Sequence, residues 1–113
     1  MRDLSTQVVM HTHTPYATAL GCLEDPSLLM IHQNSCRFLG RCAWDNGYQP
    51  ATEIAEGERL GMVLGDKDIL FMCHHGTLMV ADTVHAAFDE VCVPYLYFLG
   101  YYTTYTFIQG LLP

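Results

Sequence analysis

Two short stretches hold the residue types best suited to chemistry. The first is His11-Thr12-His13. It ends a run rich in Val and Thr, Thr6 to His13, that reads as a strand. Strand side chains alternate between faces, so positions 11 and 13 point the same way. Two imidazoles so placed can reach one metal ion, or they are two surface or hydrogen-bonded histidines. The second stretch is His74-His75-Gly76. It follows an apolar strand, Asp68 to Cys73, and adjacent strand residues face opposite ways. At most one of these two histidines can join the first pair, and Gly76 permits a tight turn that aims its neighbour. Three imidazole nitrogens with an open fourth position form the donor set of a catalytic zinc site, which polarises a carbonyl or a bound water. The alternative is a structural histidine at a strand end.

Other polar residues carry less. His32 follows the apolar run Leu28 to Ile31. It is either a substrate-contacting pocket residue or a helix-capping and packing residue. His85 reads as solvated. Glu53, Glu56 and Glu58 read as a solvated helix face. The chain has no phosphate-cradling Gly-rich loop, no G-x-S-x-G and no Cys/His nucleophile arrangement.

The elements that must position these residues alternate in type. Thr14 suits a helix N-cap and Pro15 the first helical position, with the helix continuing through Tyr16 to Leu23. Asn34 to Leu39 reads as helical and stops at Gly40. Arg41 to Trp44 reads as a strand, and Thr52 to Leu64 as the clearest helix, stopped by Gly65. Thr77 to Ala81 forms a further strand. Asp82 or Thr83 then caps a helix through Val84, Ala87, Phe88 and Val91. This alternation predicts an α/β layered domain.

Composition bounds the rest. The chain has 113 residues, enough for one domain or part of one, with 12 acids against 5 bases and a formal net charge of −7. Such a balance disfavours nucleic acid and anionic lipid surfaces. The five cysteines show no C-x-x-C pair and read as reduced, mostly buried thiols of a cytoplasmic protein. The first residues, MRDLSTQVVMHTH, lack the apolar core of a secretory signal. From Val91 to Pro113 no residue is charged, but Pro94, Gly100, Gly110 and five tyrosines argue for a buried or sticky segment rather than a membrane span.

The stretches VVMHTHTPYATAL, LLMIHQNSCRFLGRCAW and EGERLGMVLGDKDILFMCHHGTLMVADTVHAAFDEV resemble the class II aldolase/adducin family. That group contains sugar-phosphate aldolases and the adducin head domain. The resemblance covers about Val8 to Val91. It divides the chain into a partial family domain, 1–91, and a divergent aromatic tail, 92–113. It implies an α/β/α layered fold with a central, mainly antiparallel sheet, incomplete relative to the family. The family's H-x-H is matched by His11 and His13. Its later N-H-G is matched by His74-His75-Gly76, which makes His75 the third ligand and puts His74 where Asn is usual. The implied ion is zinc or another divalent metal. It would hold the carbonyl and hydroxyl oxygens of a sugar-phosphate-like substrate and stabilise the enediolate of aldol cleavage.

The resemblance also implies a cytoplasmic homo-oligomer, commonly a tetramer. The family's phosphate-binding loops and catalytic acid lie upstream of the matched part, and nothing here matches that acid. Pro94 interrupts the helix that the family continues. Those departures favour an aldolase-like protein lacking its acid/base. The alternative is a non-enzymatic, adducin-like module making cytoskeletal contacts.

Overall fold

The computed structural model describes residues 8–30, 33–47 and 54–92. Four strands form one sheet: β1 (Val8–Thr12), β2 (Cys42–Asp45), β3 (Ile69–Met72) and β4 (Gly76–Ala81), in the order β1-β4-β3-β2. Antiparallel pairing joins β4 to both β1 and β3, while β2 lies parallel to β3. The sheet is therefore mixed and mainly antiparallel. One consequence fixes the chemistry: β1, β2 and β3 all run the same way, so their carboxyl ends and the start of β4 share one rim.

Helices cover both faces. On one side lie α1 (Pro15–Leu20), a 3-10 helix (Gln33–Phe38) and a helical run over residues 84–92. Their Ala17, Leu20 and Phe38 pack on Ile69, Phe71 and Met79, with Trp44 and Val91 at the margin. On the other side α2 (Ile54–Leu64) packs Leu60 and Leu64 on Leu70, Met72 and Val80. Along β3 the residues alternate strictly between the two cores: 69 and 71 to one, 70 and 72 to the other. This explains why all four are apolar and all four buried. Full burial of Ile69 or Leu70 contributes about 1.5–3 kcal/mol each. Trp44 stacks on its register partner Phe71 with ring centroids 4.1 Å apart, a cross-strand pair that holds β2 in place.

Local signals explain most boundaries. Thr14 and Pro15 start α1 as the sequence predicts, but the Thr14 side chain makes no cap hydrogen bond and the helix ends at Leu20 rather than Leu23. Thr83 does cap the last helical run: its Oγ1 accepts the Ala86 N–H at 3.1 Å. The 33–38 segment is the tighter 3-10 form, closed by Gly40 at φ 72. Gly65, at φ 59, ends α2.

Ion pairs stitch the layers. Arg41 donates to Asp68 Oδ2 at 2.7 Å and to Glu90 Oε1 at 3.0 Å, and Arg37 reaches Glu90 and Asp89 at 3.1 and 2.8 Å. The 3-10 helix, the sheet and the 84–92 run thus meet at Glu90. Among the described residues no helix is long and apolar enough to cross a membrane. The tail, 93–113, lies outside the described residues.

Candidate metal centre

Register along β1 sets the site. His11 pairs with Leu78 and Thr12 with Thr77 in the β1–β4 ladder. That places the His11 ring beside the Thr77 backbone, and His11 Nδ1–H donates to Thr77 O at 2.9 Å. The bond assigns the tautomer and leaves Nε2 with its lone pair facing outward. Strand alternation brings His13 to the same side, with its Nε2 2.8 Å from His11 Nε2.

His75 comes from the turn between β3 and β4. The His75 N–H closes that turn onto Met72 O at 3.1 Å. His74 occupies its third position at φ 62, the left-handed region where Gly or Asn is favoured and His tolerated. The His74 N–H also donates to Gly21 O at 3.2 Å, anchoring the turn to the end of α1. The turn delivers His75 to the H-x-H pair: ring centroids are 4.7 Å apart for 11–13 and 4.8 Å for 11–75 and 13–75. One ligand atom from each of the three imidazoles lies within 4.8 Å of the others.

Gly76 makes this convergence possible. A Cβ there would lie 2.5 Å from Thr12 O, 2.7 Å from His13 Cδ2 and 3.2 Å from His11 Cε1. No side chain fits between β4 and the two rings.

Burial, then the neighbouring His11 and His13, holds the His75 imidazole below its ordinary pKa. A neutral, lone-pair-bearing His75 is the form a metal needs. Three imidazoles converging at the rim, His11 and His13 exposed and His75 half-buried, are a donor set that suits zinc and other borderline divalent ions. Among the described residues no carboxylate or thiol joins the three rings.

The remaining sequence candidates fall elsewhere. His32 and Glu53 lie outside the described residues. His85 and Glu58 are exposed, as expected. Glu56 is not a solvated residue: it is 6 % exposed and receives Arg59 Nε at 2.7 Å and Nη2 at 2.6 Å. The same guanidinium grips Asp45, at the end of β2, with Nη1 at 2.8 Å and Nη2 at 2.6 Å. Arg59 thereby pins α2 to the rim and holds both carboxyls below their ordinary range. Charge counting missed this clamp, although the Glu56-to-Arg59 spacing of one helical turn was its signal.

The cysteines also differ from expectation. Only Cys73 is buried, while Cys22 and Cys36 are exposed. The half-buried Cys42 thiol is pushed up to about 12, chiefly by burial. All four described basic side chains, Arg37, Arg41, Arg59 and Lys67, are ion-paired within the chain.

Comparison with known proteins agrees with this architecture. Residues 2–93 match the class II aldolase and adducin N-terminal domain family. An aldolase II superfamily protein from Pseudomonas syringae is similar at 34 % identity and a TM-score of 0.70, over 93 % of this chain and 40 % of that one. The fold also resembles L-fuculose 1-phosphate aldolase from Glaciozyma antarctica PI12, at 22 % identity and a TM-score of 0.71, over 86 % of this chain and 35 % of that one. The chain therefore spans less than half the length of either structure. No curated protein sequence matches it. With a family match over most of its length and the sheet that carries it, the chain belongs to the class II aldolase/adducin family.

Proposed function

We propose that this chain binds a divalent cation, zinc foremost, through His11, His13 and His75, and works on a hydroxy-carbonyl compound of the sugar-phosphate class by aldol chemistry. The convergence of three imidazole nitrogens within 4.8 Å carries this reading. A divalent cation supplies positive charge where an oxyanion develops as a carbon–carbon bond breaks. This chain's residues contribute the rest. The Thr77 carbonyl orients His11, the β3–β4 turn presents His75, and the Arg59 clamp fixes the neighbouring rim.

Two parts of the chemistry come from outside the described residues. No described carboxylate stands with the imidazoles to move a proton. Every described cation is already paired with an acid, so a substrate phosphate finds no free partner among them. Metal binding and turnover therefore separate: the first belongs to these three histidines, the second needs a further acid/base. A tetrameric assembly and a cytoplasmic location belong to the same reading, by analogy with the family. L-fuculose 1-phosphate, the substrate named for one structural relative, is the first compound to try.

The experiment is metal analysis of the purified chain followed by zinc titration. One equivalent of zinc is expected in the unaltered chain, and none in His11→Ala or His75→Ala variants that keep their circular dichroism. Failure of the unaltered chain to take up any divalent metal at micromolar concentration overturns the reading. Retro-aldol assays with phosphorylated and unphosphorylated ketoses then test turnover separately.

A further inference from the structure

Beyond the carboxyl ends of β2 and β3 lies an open cavity of about 420 Å³. Its walls include Cys22, Glu24, Asn46, Cys73 and His74. Two of the chain's cysteines thus border one space. The backbones behind them touch: a Cβ on Gly21 would lie 3.4 Å from the Cys73 Cα, and the His74 N–H donates to Gly21 O at 3.2 Å. Cys22 and Cys73 therefore flank a direct contact between the end of α1 and the β3–β4 turn. Their exposures differ sharply. Cys22 is exposed, while Cys73 is 3 % exposed. A thiol-reactive solute in the cavity therefore reaches the exposed Cys22 more readily than the buried Cys73. The remaining described cysteine on the sheet, Cys42, is directed elsewhere, its Sγ 3.6 Å from Phe38 O.

We propose that Cys22 is a modification site for low-molecular-weight disulfides of the glutathione class, and that Cys73 resolves the adduct into a Cys22–Cys73 disulfide. In the first step the Cys22 thiolate attacks one sulfur of glutathione disulfide. A Cys22–glutathione bond forms, the S–S bond of the reagent breaks, and one glutathione thiolate leaves. In the second step the Cys73 thiolate attacks the Cys22 sulfur, forming the intramolecular bond and releasing the second glutathione thiolate. The two protein thiols lose two protons and two electrons; the reagent accepts the electrons, and its two departing thiolates take up two protons from solvent to give two glutathione thiols. His75 follows Cys73 by two residues, so the new bond ties the turn presenting that histidine to the end of α1. The inference rests on the cavity and the backbone contact, and it stands whether or not a metal binds.

The test is incubation of the reduced full chain with oxidised glutathione, read by intact mass and peptide mapping. Expected is one cross-linked peptide joining positions 22 and 73, with no glutathione left on either, whatever the exposed Cys36 takes up, and reversal by dithiothreitol. Cys73→Ser should instead retain glutathione on Cys22, and Cys22→Ser should form neither product. Because Cys73 is buried, Cys73→Ala serves as a second variant that buries no hydroxyl, and it should behave like Cys73→Ser. A cross-link from Cys22 to Cys36, Cys42 or Cys92 overturns the proposal. So does a stable glutathione adduct on Cys22 of the unaltered chain, or an unreactive Cys22.

Discussion

The Nε2 atoms of His11 and His13 lie 2.8 Å apart, a hydrogen-bond distance. Because the Thr77 carbonyl can only accept, His11 carries its proton on Nδ1. With both rings neutral, its Nε2 is then the acceptor in the histidine pair and His13 Nε2–H the donor. Under the proposed metal site, a cation held through both Nε2 atoms would require His13 to carry its proton on Nδ1, whereas His11 is already in that tautomer. Nitrogen-15 spectra of the imidazoles, recorded with and without zinc, should show a tautomer change at His13 and none at His11. A change at His11 instead would mean that the Thr77 bond does not set its orientation.

His75 gives the metal-free chain a pH dependence. Its folded pKa is depressed below the ordinary 6.5, by burial first and by His11 and His13 after it. As pH falls through that ordinary value, the unfolded chain takes up a proton that the folded chain refuses. The unfolded state then binds more protons, so unfolding becomes easier toward acid. Above about pH 7 both states are neutral at this residue and the effect vanishes. Thermal melts of the metal-free chain should show Tm falling between about pH 7 and 5. His75→Gln should flatten that limb. An unchanged slope in that variant would assign the dependence to other groups.

Gly76 and Gly61 make opposite predictions for the same substitution. At Gly76 a methyl group would meet Thr12 O at 2.5 Å and His13 Cδ2 at 2.7 Å. The contact is with strand backbone as well as a ring, so relief requires β1 to shift. Gly76→Ala should cost about 1–3 kcal/mol of stability and weaken zinc binding by about tenfold or more. At Gly61, on α2, nothing lies within 4 Å of the added carbon. Gly61→Ala should stabilise the chain by about 0.5–1 kcal/mol through helix propensity, with zinc affinity unchanged. Denaturant unfolding and zinc titration of the two variants check both signs.

Much of this arrangement is legible in the residues themselves. Strand alternation alone puts His11 and His13 on one side, and the apolar run Ile69–Met72 announces a strand buried on both faces. The family resemblance, rather than any periodicity, brings His75 to the pair. Its arrival depends on the β1-β4-β3 order, a long-range pairing that local pattern does not encode. The Arg59 clamp was hidden for a related reason. A glutamate in a charged helix reads as solvated until the partner strand end, Asp45, is known to lie beneath it. Asn34 to Leu39 reads simply as helical, because the α and 3-10 forms differ by one residue in hydrogen-bond span, which composition barely registers; the structure makes Gln33–Phe38 the 3-10 form. His32 lies outside the described residues, so the geometry neither assigns it to a pocket nor excludes it.

The outer side of β1 leads to the last prediction. Among the described residues β1 pairs only with β4, leaving its other edge open. Edge strands usually carry a charge, a proline or a bulge that blocks pairing with another chain. Val8–Thr12 carries none of these, and Val9 is 63 % exposed on the same face as His11. The strand is therefore a template for edge-to-edge association. Val9→Lys adds a charge on that exposed face and leaves the opposite, half-buried Met10 side of the strand unchanged. It should reduce concentration-dependent association, followed by sedimentation velocity, and change stability by no more than about 0.5 kcal/mol. Zinc stoichiometry should stay the same. Association unaltered by the lysine would place the contact on another surface, with the exposed Val84 and Phe88 of the 84–92 run next to be tested.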